Sequence, residues 1–304
     1  MRKIMKQIEL FKEEDLPAVY ELCRQVMIYD RFTETLLREK ILEDPSYEAG
    51  LVLVVKDDDR IIGFMNGVMR EINGSRIGYI KLMAVDERWR RQGVATQMYT
   101  YLEQELKNRK AEKIRIYDVP FNYFMPGIDP RYTAAVSFAE KQGFRRFADT
   151  CNMTVDLAGT DFSTTTQEEK LRKQNIVVRR AGYDDRQAIL KFIDQYFPLW
   201  RTEVENSFLS LPISLHIALL KDEIRAFSAH NGNNFGTGWF GPMGTHPDLR
   251  GKGIGGILLK RCLQDIKDWG LPQSIIPWVG PVSFYARTVG AVVERVFWRY
   301  EKIF

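Results

Sequence analysis

Arg250-Gly251-Lys252-Gly253-Ile254-Gly255-Gly256 stands between a strand-like segment ending Met243-Gly244-Thr245 and a long amphipathic helix. Alternate glycines let a backbone approach a ligand with no Cβ in the way, and a helix start offers unpaired N–H groups with a partial positive charge. Together they predict a seat for a diphosphate, with Arg250 and Lys252 adding full charges. A Walker A loop is excluded: Gly253 follows Lys252 where Ser or Thr is required, and His246 stands at the first glycine position. Gly251, Gly253 and Gly256 formally meet a dinucleotide fingerprint, but that motif needs an acidic residue after the next strand. Here that strand ends Trp278-Val279-Gly280.

Read outward from this turn, the chain is two copies of one plan. A polar, threonine-rich stretch, 158–175, reads as a linker between domains at 1–157 and 176–304. Each side opens with a strand (Gln7 to Phe11; Val177 to Ala181) and a helix (from Asp15; from Asp184). Three strands follow in each: Leu51 to Lys56, Ile61 to Arg70 and Ile77 to Val85, then His216 to Leu220, Ala226 to His230 and Trp239 to Thr245. The long helices each carry apolar residues at helical spacing along one face, Val94, Met98, Tyr101, Leu102 and Leu106 in the first and Ile254, Ile257, Leu258, Cys262 and Ile266 in the second. Strands at Lys113 to Tyr117 and Ser274 to Val279, a short helix and a final strand complete each copy. The first copy has a longer segment before its short helix, and Phe121 to Tyr132 reads as an inserted loop that could cover a cleft. The expected fold class is α+β, sandwich-like, with a mixed central sheet flanked by helices in each domain.

Composition bounds the function. With 304 residues, 45% hydrophobic and 28% charged, the chain reads as soluble and folded. Residues 1–157 hold 25 basic and 25 acidic side chains and 158–304 hold 19 and 15, so the +4 net charge lies in the second half. That excess is too small for a nucleic-acid partner but suits a small polyanion. Arg2, Lys3, Lys6, Lys12 and the acidic residues among them leave no apolar stretch for a signal peptide or membrane anchor. Cys23, Cys151 and Cys262 are scattered, with no metal-ligand spacing, and a cytoplasmic location is the default expectation.

The spacing common to both halves, Arg90-Arg91-Gln92-Gly93-Val94-Ala95 and Arg250-Gly251-Lys252-Gly253-Ile254-Gly255, resembles the (Q/R)xxGx(G/A) signature of the GCN5-related N-acetyltransferase (GNAT) family. The resemblance spans both halves and is similar to the tandem arrangement of mycothiol synthase-type enzymes. It implies acetyl-CoA as cosubstrate, no metal, and direct acetyl transfer to the amine of a small molecule: an amino sugar, amino acid or aminoglycoside-like acceptor. It further implies that Met243 and Thr245 bring main chain to the pantetheine arm. Arg250, Gly251, Lys252, Gly253, Ile254 and Gly255, with Arg90, Gly93 and Ala95 in the first copy, would hold the pyrophosphate. Tyr285 on the last short helix matches the family's usual acid. Phe138 holds its place in the first copy, and a phenyl ring cannot donate a proton. Catalysis is therefore expected in the carboxy-terminal domain, with the amino-terminal domain degenerate. Tyr285 lies five residues before Gly290, one more than the family spacing. Glu203 and His246 are candidate bases, each with a plainer reading as a surface charge or solvent-facing ring, and His216 and His230 read as structural. Trp200, Trp239, Trp269, Trp278 and Trp298 read first as packing residues, with Tyr196, Trp200 and Trp278 as candidate walls of an acceptor pocket. A non-catalytic acyl-CoA sensor is the competing class.

Overall fold

A computed structural model describes residues 6–304; Arg2 and Lys3, cited above, lie outside them. The chain forms two compact units, one made of the chain up to Thr150 with Phe297–Phe304, the other of Cys151–Val296.

In the first unit the chain runs β1 (Ile8–Leu10), α1 (Leu16–Val26), α2 (Glu34–Ile41), β2 (Val52–Asp57), β3 (Arg60–Ile72), β4 (Ser75–Val85), α3 (Val94–Asn108), β5 (Lys113–Ile116), α4 (Thr133–Lys141) and β6 (Arg145–Asp156), whose later residues enter the second unit. Pro17 in the first turn of α1 fills a position whose N–H would have no helical partner, and Leu16, Val19, Leu22, Cys23 and Val26 form its buried stripe. Thr33 caps α2 by accepting from Leu36 N at 3.0 Å. Strands β1 to β4 are antiparallel neighbours, and β5 joins β4 in parallel from Ile77↔Lys113 to Ile80↔Ile116. Helix α3 lies close on this sheet because the strands offer it glycine. A Cβ on Gly63, Gly67 or Gly78 would come within 2.7, 2.3 or 2.6 Å of Val94, Leu102 or Leu106.

The second unit repeats the plan with α5 (Thr165–Arg172), β7 (Ile176–Arg180), α6 (Arg186–Tyr196), α7 (Arg201–Asn206), β8 (Leu215–Leu220), β9 (Glu223–His230), β10 (Phe240–Thr245), α8 (Ile254–Asp268), β11 (Gln273–Ile276), α9 (Val282–Val289) and β12 (Val292–Ile303). Strands β7 to β10 form an antiparallel sheet in chain order. One face carries Ile217, Phe227 and Ala229 against α6 and α7; the other carries Ala218 and Ala226 against Ile254, Ile257 and Leu258 of α8.

Two features differ from the expected layout. The stretch 158–175 holds a helix, α5, anchored by buried Leu171 and by Glu168, which accepts from Arg261 at 2.7 Å and from Thr164 at 2.6 Å. The ends of the two copies are also exchanged. Phe297–Phe304 belongs to the first unit, where β12 pairs antiparallel with β5 from Tyr300↔Ile116 to Ile303↔Lys113. Conversely, Met153–Asp156 of β6 pairs with β11 in the second unit. Linear hydrophobic periodicity carries no information about which sheet a terminal strand joins, so boundaries at 157 and 176 follow composition rather than packing.

Candidate functional site

The second unit's sheet opens into a fork. Trp239 bridges Ile275 in parallel and Ile275 N donates to the Gly238 carbonyl at 3.0 Å. Beyond that point β10 pairs only with β9, while β11 turns to β6. A bulge interrupts β10 between Phe240 and Met243, at Gly241 and Pro242, the register shift lying on the strand that borders the fork.

At the end of β10 stands the glycine turn. Thr245 is followed by His246, whose Nδ1 accepts from Asp248 N at 3.3 Å, and by a 3-10 turn, Pro247–Leu249. Gly251 and Gly253 both have φ of +79°, the left-handed region where a Cβ is costly, and nothing lies within 4 Å of where either Cβ would be. Helix α8 begins at Ile254 with no side-chain cap. The N–H groups of residues 251–255 consequently have no acceptor among the described residues. Arg250 is tied back, its Nε donating to the Thr245 carbonyl at 3.2 Å, while Lys252 is exposed and Ile254 is buried beneath the turn. Met243 and Phe284 flank Gly255, whose Cβ would lie 3.3 Å from Met243 Cε and 3.6 Å from Phe284 Cζ.

Helix α9 runs without a break to its left-handed cap at Gly290 (φ +67°). This puts Tyr285 in the core beside Phe240 and Phe284, with ring centroids 6.2 and 5.0 Å apart, and 8% exposed. Its hydroxyl has no hydrogen-bond partner among the described residues, and burial pushes its pKa up to about 12. The neighbour that reaches Gly255 is Phe284, one step round the helix.

Across the other face, Phe197 lies where a Cβ on Gly244 would be, 2.7 Å from its Cζ, which docks the end of α6 onto β10. Phe197 and Trp200 are stacked at 5.1 Å and 10°, with Phe227 edge-on below. The expected solvent-facing His246 is instead buried, edge-on to Tyr196 at 4.8 Å, because it caps the 3-10 turn. Glu203 is buried at 6% exposure rather than on the surface, since the Gly232 backbone packs directly on α7 at that residue. Trp239 is buried, whereas Trp269 is 38% exposed.

Against α8, two histidines and an arginine converge on one carboxylate. His216 and His230 place Nε2 at 2.8 and 3.0 Å from Asp265 Oδ2, and Arg180 donates to both Asp265 oxygens at 2.7 and 2.6 Å. Burial works against charge on Asp265, but these hydrogen bonds outweigh it and hold the carboxyl far below its usual range. An ionised carboxylate only accepts, so each Nε2 carries the proton and each buried Nδ1 is left without a partner among the described residues. Burial lowers both imidazole pKa values.

The first unit repeats the turn. Asp86 accepts from Arg88 N at 2.9 Å, Arg90 Nε donates to the Val85 carbonyl at 3.3 Å, and Gly93 has φ +97°. Arg91 adopts φ +62° where the second unit has glycine. Residues 91–95, including Ala95, present N–H groups with no acceptor among the described residues. The Phe121–Tyr132 segment is not an open loop: Tyr123, Phe124, Met125 and Ile128 are buried within this unit, Phe124 stacks on Phe32 at 4.6 Å, and Ile128 bridges Trp298. Beneath it lies a set of buried charges that reading the sequence missed. Asp44 accepts from Arg70 at 2.7 Å and from Lys81, and Lys81 also donates to Asn122 at 2.9 Å. Their one legible sign was Lys81, a lone cation inside the apolar run Ile80-Lys81-Leu82-Met83. Asp118, also buried, takes two bonds from Arg299, yet burial lifts its pKa to about 7 against the pull of Arg299 and Arg115.

No helix among the described residues is long and apolar enough to cross a membrane, and no group of three or more His, Cys, Asp or Glu among them is arranged to hold a metal. Among solved structures, the chain is similar to the GCN5-related glucosamine N-acetyltransferase region of a fungal multi-domain GH3 beta-N-acetylglucosaminidase, at 18% identity and a TM-score of 0.83. That match covers 98% of this chain and 38% of the fungal chain, so the chain corresponds to well under half of that protein. A GCN5-related N-acetyltransferase from Sphaerobacter thermophilus matches at 17% identity and a TM-score of 0.70, over 98% of this chain and 95% of that one. A tandem GNAT protein from the clavulanic acid biosynthesis pathway matches at 11% and 0.66, over 98% of each. These identities establish likeness of fold. Comparison with curated protein sequences finds no match. A family model described as the acetyltransferase (GNAT) family matches residues 16–144 and again 186–290. With one match in each half and the glycine turn in both, the chain belongs to the acetyltransferase (GNAT) family as a tandem of two such domains.

Proposed function

We propose that the protein is an acetyl-CoA-dependent N-acetyltransferase that moves the acetyl group directly to the amine of a small molecule, with catalysis in the second unit. The observation that carries this reading is the row of unbonded N–H groups at residues 251–255, opening the uncapped helix α8 beside the fork. Such a row matches a pyrophosphate in charge and hydrogen-bonding sense. The empty space over Gly251 and Gly253 leaves room for it, and Lys252 adds an exposed cation. Between β10 and the strand beyond the fork, the main chain of Met243 and Thr245 would pair with the pantetheine arm.

Acetyl-CoA supplies an activated thioester; the chain's own residues position it and move protons. The amine must be neutral to attack, and the departing thiolate gains from an acid. Tyr285 fits that acid because burial keeps its phenol protonated throughout the physiological range. Phe138 in the first unit has no proton to give, which favours the second unit for turnover. The Phe197–Trp200 stack beside Gly244 offers a flat apolar platform of the kind that sugar rings use. The fungal neighbour's name assigns it glucosamine, so amino sugars head the acceptors to assay. Titration calorimetry with acetyl-CoA, followed by thiol release in the presence of amino sugars, amino acids and aminoglycosides, tests the reading. Amine-dependent thiol release is the expected result. No binding of acetyl-CoA overturns it, and binding without release on any amine turns it into a sensor.

A further inference from the structure

The first unit carries an amine of its own where its fork opens. Strands β4 and β5 pair as far as Ile80↔Ile116, and Tyr117 N donates to the Ile80 carbonyl at 2.8 Å. Tyr117 then turns away with φ +67°. The next residue of β4 is Lys81, the extra residue of a bulge between the pairs Asn66↔Leu82 and Gly67↔Ile80. In the second unit the corresponding bulge is Gly241 and Pro242, which present no reactive group. Lys81 is fully buried; its Nζ donates to Asp44, just beyond α2, and to Asn122 from the 121–132 segment. Arg70 of β3 meets Asp44 from the other side, and its guanidinium is covered by Phe121 at 4.3 Å.

We propose that Lys81 is the acetyl acceptor of the first unit: acyl-CoA seated on the amides of residues 91–95 presents its thioester at this fork, and the Lys81 amine takes the acetyl group. This rests on the reading that both turns seat acetyl-CoA. Asp44 and Asn122 accept two of the three hydrogens of the ammonium. When the third leaves, the lone pair occupies that third direction, so the amine is held in an oriented, nucleophilic state. Burial, helped by the like charges of Lys40 and Arg70 and opposed by Asp44, brings the ammonium pKa down to about 7, so a large share is free base near neutral pH. Asp44 remains ionised, held at about 2 by Lys81 and Arg70 against the effect of burial, and so it orients rather than accepts the proton. The proton passes to water. The amine nitrogen then attacks the thioester carbonyl carbon, the C–N bond forms, the C–S bond breaks and the thiolate leaves with its electron pair; the proton that the nitrogen sheds on becoming an amide passes through water to that thiolate. The product is a neutral acetyl-lysine, with Asp44 still paired to Arg70. Lys81 is fully buried and belongs to the chain itself, so the event occurs once per chain.

Peptide mass spectrometry of the whole protein after incubation with acetyl-CoA tests this, using exposed-turn variants Arg91→Asp for the first unit and Lys252→Asp for the second. The expected result is one acetyl group on Lys81 in the wild type and in Lys252→Asp, lost in Arg91→Asp and in Lys81→Arg. Calorimetry separates the two layers. If the wild type binds one acetyl-CoA and Arg91→Asp leaves that stoichiometry unchanged, the first turn binds nothing and the proposal falls with that reading. If stoichiometry drops by one but wild-type Lys81 is unmodified, the proposal alone is overturned. Equal acetylation of Lys81 in Arg91→Asp also overturns it, since the chemistry would then be unassisted.

Discussion

Replacing Tyr285 with phenylalanine removes one oxygen atom and leaves the ring between Phe240 and Phe284 in place. Because that hydroxyl has no partner among the described residues, its loss leaves no orphaned donor or acceptor. The stability change should stay within about 1 kcal/mol of zero. The catalytic consequence is of another size. A positioned acid contributes roughly 10²–10⁴-fold, or about 3–5 kcal/mol of barrier. Amine-dependent thiol release in Tyr285→Phe should therefore show kcat reduced by about 100-fold or more, with KM for acetyl-CoA nearly unchanged because the residue 251–255 amides are untouched. A phenol held at about 12 stays protonated over the assay range, so Tyr285 should contribute no alkaline fall in kcat at pH 7–9. An unchanged kcat would remove Tyr285 from the reaction. A large drop in melting temperature would instead mark its hydroxyl as structural.

Gly253→Val places a β-branched residue at φ +79°, costing about 1–2 kcal/mol of backbone strain; acetyl-CoA stoichiometry by calorimetry should fall by one while the first unit's binding persists. Asp265→Asn deprives Arg180, His216 and His230 of their common carboxylate and should lower stability by about 3 kcal/mol in urea denaturation, a wild-type-like midpoint being the contrary result. Both imidazoles have folded pKa values below their unfolded ones, so the unfolded chain binds more protons. Stability should decline as pH falls below about 6.5, which a pH series of denaturation midpoints reads directly. The Lys81 ammonium is depressed likewise, so stability should rise with pH between about 7 and 10, by up to about 1.4 kcal/mol per pH unit, and this slope should be missing in Lys81→Met.

Much of this fold is legible in the residue pattern because its signals are local. The buried stripe of α1, the glycines under α3 and the left-handed turn glycines each express one backbone or packing requirement within a few residues. Helix α5 escaped notice because its short polar sequence buries only Leu171 and Glu168, and its anchor, Arg261, lies far along the chain. The buried charges of the first unit were hidden for the same reason. Asp44, Arg70, Lys81 and Asn122 are separated by 26 to 41 positions in their direct contacts, and only folding brings them together. His216, His230 and Asp265 illustrate a middle case: their strand and helix settings were readable, their convergence was not.

The exchange of terminal strands bears on how the protein is made. A ribosome delivers the amino-terminal half first, yet β5 finds its outer neighbour only when residues 297–304 emerge. Until then Lys302 is missing from Glu103 and Arg299 from Asp118, and the first sheet exposes an edge to every other nascent chain. The first unit therefore completes its sheet only at the end of synthesis. Cutting the gene in the threonine-rich stretch would yield two unfinished pieces, and a partner that shields the β5 edge during synthesis would raise the yield of native protein.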